Sequence, residues 1–192
     1  MSEITVRGVY FDREGKENTE RTLEIAKARA DELGIKTILV ATTTGETGAR
    51  AAEFFQGYNL VVVTHSTGLR QPNEQELKEE DRAAIERAGA KILTCQHAFG
   101  GVGRAVREKL GTHGLGEIIA YTLRIFGQGM KVACEIALMA ADAGLVRTDE
   151  EVIAIAGTGR GADTAVVLVP TNAQTFFDLR ILEILCKPRL GL

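Results

Sequence analysis

Short runs of β-branched and aliphatic residues alternate with stretches of helical period along the whole chain. The clearest strand patterns are Lys36–Ala41 (KTILVA), Leu60–Thr64 (LVVVT), Ile92–Cys95, Val152–Ala156 (VIAIA) and Ala165–Val169 (AVVLV). Ile4–Phe11 is a weaker strand pattern, and Ile181–Leu185 fits a last strand or a short helix. Between these runs the spacing predicts a helix over Thr19–Leu33. Leu23, Ala26, Ala30 and Leu33 fall on one face, with Asn18 at the cap position and Gly34 just past the end. Thr47–Phe55 reads as a short helix. Asn73 with Glu76 forms a capping-box signature for a helix that runs to Ala88 and stops at Gly89. Further helices are expected over Gly103–Leu110, Glu117–Phe126 and Met130–Ala143, the last ending at Gly144.

Continuous apolar strands alternating with helices imply a sheet covered on both faces, so the expected fold class is a three-layer α/β/α sandwich. The two strands 152–156 and 165–169 are joined by eight residues. A parallel crossover needs a dozen or more, so these two are expected to pair antiparallel in a mixed, mostly parallel sheet. No internal repeat, low-complexity tract or linker divides the chain, and residues 1–192 read as one domain.

Composition narrows the class without naming a function. Of 192 residues, 45% are hydrophobic and 26% charged, which excludes a disordered, collagenous or disulfide mini-protein class. The net charge of −3 lacks the general basic footprint of a nucleic-acid binder. Cys95, Cys134 and Cys186 are odd in number and widely spaced; they suggest neither a disulfide framework nor a zinc motif, and a reducing cytoplasm is the expected location. The N-terminus lacks the pattern of a signal peptide. The most apolar region, Ile118 to Val146, is interrupted by Arg124, Lys131, Glu135 and Asp142, so it is expected to be buried helix and not a membrane span.

Four segments follow strands, where ligands bind in open α/β sheets. Thr42-Thr43-Thr44-Gly45-Glu46-Thr47-Gly48 opens a helix. Free amides of a first turn, hydroxyls and glycine suit a phosphate; the competing reading is that Thr44 or Thr47 merely caps the helix. The absence of Lys in this loop excludes a Walker motif. In Thr64-His65-Ser66-Thr67-Gly68 no GxSxG elbow surrounds Ser66, so His65 and Thr67 are ligand contacts or parts of a surface turn. Gln96-His97-Ala98-Phe99-Gly100-Gly101-Val102-Gly103-Arg104 fails the dinucleotide fingerprint on context. It reads either as a ligand-covering loop or as a solvent loop with Phe99 tucked into the core. Gly157-Thr158-Gly159-Arg160-Gly161-Ala162-Asp163 leads into a strand rather than a helix. Its amides and Arg160 either grip an anion or form a plain glycine hairpin. The spacing of His65, His97 and His113 matches no standard metal site.

The order of these pieces resembles a known family. ILVATTTGETGARAAEFFQGYNLVVVT is similar to the strand–T-x-S-G-x-[ST]-A–helix–strand stretch of the pyruvate kinase C-terminal domain, and TLRIFGQGMKVACEIALMAADAGLVRTDEEVIAIAGTGRGADTAVVLVP to its closing helix, strand, glycine loop and antiparallel strand. The likeness covers about residues 20–170, and the whole chain resembles stand-alone archaeal pyruvate kinase alpha/beta domain proteins. The resemblance implies a five-stranded core sheet with one antiparallel strand. It carries a phosphate-holding role to Thr42, Thr44, Gly45 and Thr47, and less closely to Gly157–Gly161. Glu46 departs from the pattern by placing a carboxylate in the phosphate loop, and the stretch 97–120 has no counterpart. The catalytic barrel of pyruvate kinase also has no counterpart in these residues, so none is given a kinase role.

Stand-alone members of the family look like flavin mononucleotide binders, which makes that cofactor the leading ligand. Three charge-assisted hydrogen bonds contribute roughly 5–9 kcal/mol against about 4–15 for association, so a phosphate grip alone is marginal and an apolar body must be buried too. Phe99 is expected to help cover such a body. Two alternatives stand beside this binder: a flavin-dependent oxidoreductase or phosphate-ester transferase using His65 or His97 as acid/base, and a regulatory module that forms homo-oligomers through the Met130–Ala143 helix. No metal, nucleic-acid or membrane partner is expected.

Overall fold

The computed structural model describes residues 3–189. Strands β1 (Val9–Phe11), β2 (Thr37–Ala41), β3 (Asn59–Val63), β4 (Lys91–Leu93), β5 (Val152–Ala156), β6 (Thr164–Val169) and β7 (Arg180–Pro188) form one sheet in the order β1-β7-β6-β5-β2-β3-β4. Every strand is parallel to the rest except β6, which runs antiparallel to both β5 and β7. The short 157–163 connection forces that reversal. The sheet therefore has the single antiparallel strand of the expected fold, with seven strands where five were expected. The additional pairing is that of β7 and β1, with Val9 opposite Cys186 and Phe11 opposite Pro188.

Helices α1 (Thr19–Leu33), α2 (Glu46–Phe54) and α3 (Glu79–Arg87) cover one face. Leu23, Ala26 and Ala30 of α1, Phe55 beyond α2 and Ile85 of α3 pack there on Ile38, Val40, Val62, Ile153 and Val167. Helices α4 (Gly101–Leu110), α5 (Leu115–Arg124) and α6 (Gln128–Asp142) lie on the other face. Met130, Ala133, Cys134, Ala137 and Leu138 of α6 meet Leu39, Val61, Ala154 and Leu168 there. Neighbouring strand residues such as Ile38 and Leu39 thus serve opposite cores, which explains the unbroken apolar runs. Among the described residues no helix is long and apolar enough to cross a membrane.

Several local expectations are corrected. Asn18 does not cap α1; its side-chain amide donates back to the carbonyls of Arg13 and Gly15 and closes the preceding turn. Leu33 is 39% exposed and lies off the buried stripe. The Asn73–Glu76 capping box does not form. Asn73 sits in a turn at φ 65°, Glu76 turns to His65 and Arg70, and α3 starts at Glu79. Ile181–Leu185 belongs to a strand. Ala137 and Met139, expected on an oligomer face of α6, are buried within the single chain and present little surface to a second copy.

Candidate functional site

Strands β2, β3 and β5 are parallel neighbours, so the loops after Ala41, Val63 and Ala156 emerge at the same edge. A cavity of about 330 Å³ opens between them. Its first wall is the turn into α2. The Thr42 hydroxyl accepts the Gly45 N–H at 3.1 Å. Gly45 has φ 107°, and a Cβ there would stand 2.3 Å from the Asp81 Cβ, so only glycine lets the chain turn so tightly beneath α3. No side chain caps α2. The amides of its first turn have no partner within the helix, and Thr47 lies beside them on the cavity wall. Thr42, Thr43, Thr44 and Glu46 line the same wall. Gly45 and Gly48 do not; Gly48 packs inward, where a Cβ would press on Val62 and Ile85.

The second wall is the glycine loop between β5 and β6, with Gly157, Gly159, Arg160 and Gly161 facing the cavity. Asp163 shapes this loop. It is fully buried and accepts the Gly15 N–H at 3.0 Å, the Thr158 N–H at 3.1 Å and the Thr164 hydroxyl at 2.7 Å. The Ala162 N–H donates to the Thr19 hydroxyl at 3.0 Å, so the first residue of α1 and the segment before it, which is tied to Asp163 through Gly15, clamp the loop from behind. Thr158 is spent on this scaffold and does not line the cavity.

Lys16 of that segment reaches Glu46 at 2.6 Å. The lysine hydrogen bond holds the Glu46 carboxyl below its usual range. The carboxylate is largely exposed and partly neutralised, which limits its repulsion of an anion. Replacing it with glutamine removes what repulsion remains. An interaction between exposed charges is worth about 0.2–1 kcal/mol, so Glu46→Gln is expected to tighten inorganic phosphate binding up to about fivefold by calorimetric titration.

The third wall comes from α4–α6 and was not anticipated as part of the site. Arg104, Arg124 and Lys131 bring three cations to it, and Val132, Ile136 and Met139 supply apolar surface. The Lys131 side chain is only 9% exposed and ion-paired with Glu135 one turn on. The second Glu135 oxygen accepts the Phe99 N–H at 2.9 Å. Burial pushes the Lys131 ammonium below its usual pKa. The available signal was this Lys–Glu pair at i,i+4 inside an otherwise apolar helix.

His65 and His97 meet at the cavity, with ring centroids 5.4 Å apart. Glu76 holds His65 Nδ1 at 2.7 Å. The Ser66 N–H donates to His97 Nε2 at 3.2 Å, which assigns the ring proton of neutral His97 to Nδ1, and burial pushes this imidazole's pKa down. His113 lies elsewhere, edge-on to Tyr121. Thr67 lines an adjoining cavity instead of the first. Phe99 does not cover the first cavity either. It is buried in the core, edge-on to Phe176 at 5.7 Å, because Glu135 anchors its backbone on the inner side.

The two turns that converge on the cavity lie within residues 20–168, and these residues match the family model described as pyruvate kinase, alpha/beta domain. The chain belongs to the pyruvate kinase alpha/beta domain family. Two solved structures of pyruvate kinase from Cryptosporidium parvum are each 13% identical over 80% of this chain, with TM-scores of 0.41 and 0.39. The match covers 23% and 22% of those chains, so this alpha/beta domain spans less than a quarter of the length of the pyruvate kinases it resembles. The match to the family model ends at residue 168, before β7, and begins after Lys16.

Proposed function

We propose that this alpha/beta domain binds a phosphorylated small molecule, with the phosphate at the N-terminus of α2 and the rest of the ligand against α6. The observation that carries the reading is the uncapped first turn of α2 on the wall of a cavity that it shares with the glycine loop. Unpaired amides and the helix dipole favour a phosphate dianion there, and Arg160 adds charge from the opposite side. Val132, Ile136 and Met139 offer the apolar surface that a phosphate alone lacks.

Flavin mononucleotide is the candidate ligand. Its phosphate suits the α2 turn, and its ring suits the apolar part of the α6 wall, although Phe99 takes no part. The reading assigns ligand binding to this domain and places no kinase step on its residues. Fluorescence titration with flavin mononucleotide and with riboflavin tests it, because the two differ only in the phosphate. Each charge-assisted hydrogen bond to the phosphate contributes about 1.5–3 kcal/mol, so riboflavin is expected to bind at least tenfold more weakly. Equal affinities, or no binding of the phosphorylated form, would overturn the flavin assignment.

A further inference from the structure

The phosphate reading leaves the buried amine of Lys131 without a use. Its side chain is nine-tenths buried yet lies on the cavity wall, one turn from Glu135 and with Nζ 5.8 Å from the centre of the Phe99 ring. The charged and titratable groups around it are Glu135 on α6, Arg104 on α4, Arg124 on α5 and His97 after β4. Desolvation of the ammonium, aided by the charges of Arg124 and Arg104, favours loss of its proton and outweighs the opposing pull of Glu135, which is in contact to take it.

We infer that the ligand class of this cavity includes phosphorylated aldehydes or ketones, whose carbonyl carbon condenses with Lys131 Nζ while the phosphate rests at the N-terminus of α2. The inference rests on the phosphate site proposed above and adds a covalent step to it. Glu135 first accepts a proton from the ammonium. The freed lone pair forms a C–N bond to the carbonyl carbon, and the proton that the nitrogen then sheds passes to the carbonyl oxygen to give a neutral carbinolamine. Glu135 returns its proton to the hydroxyl, which leaves as water, and the nitrogen lone pair closes the C=N bond of an iminium. No electrons are gained or lost, and no co-reactant is needed.

Pyridoxal 5′-phosphate, an aldehyde carrying a phosphate, is the probe. The whole protein is incubated with it at neutral pH, reduced with borohydride and mapped by peptide mass spectrometry. A lowered pKa raises a lysine's neutral fraction, so Lys131 is expected to label faster than exposed Lys91 or Lys109. Its labelling should level off at a lower pH than theirs, and flavin mononucleotide should protect it. Lys131→Arg keeps the positive charge beside Glu135 but cannot form the imine, so the fast labelling should vanish. Should that variant fail to fold, the pH profile of the wild-type protein decides. Labelling spread evenly over the exposed lysines, in a protein that still binds flavin mononucleotide more tightly than riboflavin, overturns the imine step alone. Loss of that preference together with absent Lys131 labelling overturns both the step and the phosphate site beneath it.

Discussion

Glu135→Ala is expected to lower folding stability by about 3–5 kcal/mol, as a fall in the urea midpoint at unchanged slope. The carboxylate partners a lysine side chain that is only 9% exposed, and its other oxygen accepts the Phe99 N–H. Truncation leaves an ammonium and a backbone donor without partners next to a packed helix, and neither has ready access to water. The double variant Lys131→Met with Glu135→Leu removes both charges while keeping volume, so it is expected to recover most of the loss. The pair thus adds little net stability, and its place on the cavity wall is better explained by what it does to a ligand. A loss below about 1 kcal/mol for Glu135→Ala would mean that Lys131 reaches solvent and would remove the physical basis for its altered acidity.

Asp163→Ala is the second large effect, about 3 kcal/mol or more. One fully buried carboxylate accepts from the Gly15 and Thr158 amides and the Thr164 hydroxyl, and each buried donor left unsatisfied costs about 1–3 kcal/mol. The damage should also be directional. Gly15 belongs to the segment clamped behind the glycine loop, and Thr158 to the loop itself. Amide hydrogen exchange is therefore expected to rise first around residues 15–19 and 157–163, with β2 and β3 protected as before. Uniform loss of protection would show that Asp163 supports the whole core and not the loop in particular.

The layered fold was legible because its evidence is local. Apolar runs without alternation, such as Leu60–Val63, record burial on both faces, and the seven-residue gap after β5 admits only a reversal. Strand β7 was ambiguous for a physical reason. Only its far end pairs with β1, at Cys186–Pro188, so Ile181 and Leu182 stay exposed and the burial pattern is irregular. The Asn73–Glu76 signature failed because Glu76 has a better use: it joins His65 and Arg70, residues that the local pattern does not bring near it.

The site divided along the same line. Its two turns were visible as hydroxyl and glycine clusters after strands, since those residue types record backbone geometry at one place in the chain. The third wall was not visible. Arg104, Arg124 and Lys131 come from three helices, and no spacing rule relates them. Phe99 was misplaced because a lone aromatic in a glycine-rich loop fits a lid and a core plug equally; the bond from its N–H to Glu135, 36 residues away, decides for the core.

The central claim is that the α2 turn and the glycine loop hold one phosphate between them. A titration of ¹⁵N-labelled protein with inorganic phosphate, followed by amide chemical shifts, addresses it most directly. The amides of Glu46, Thr47 and Gly48 should move together with those of Gly159–Gly161 along one saturating curve. Shifts confined to one of the two loops, or scattered over surface lysines and arginines, would contradict it.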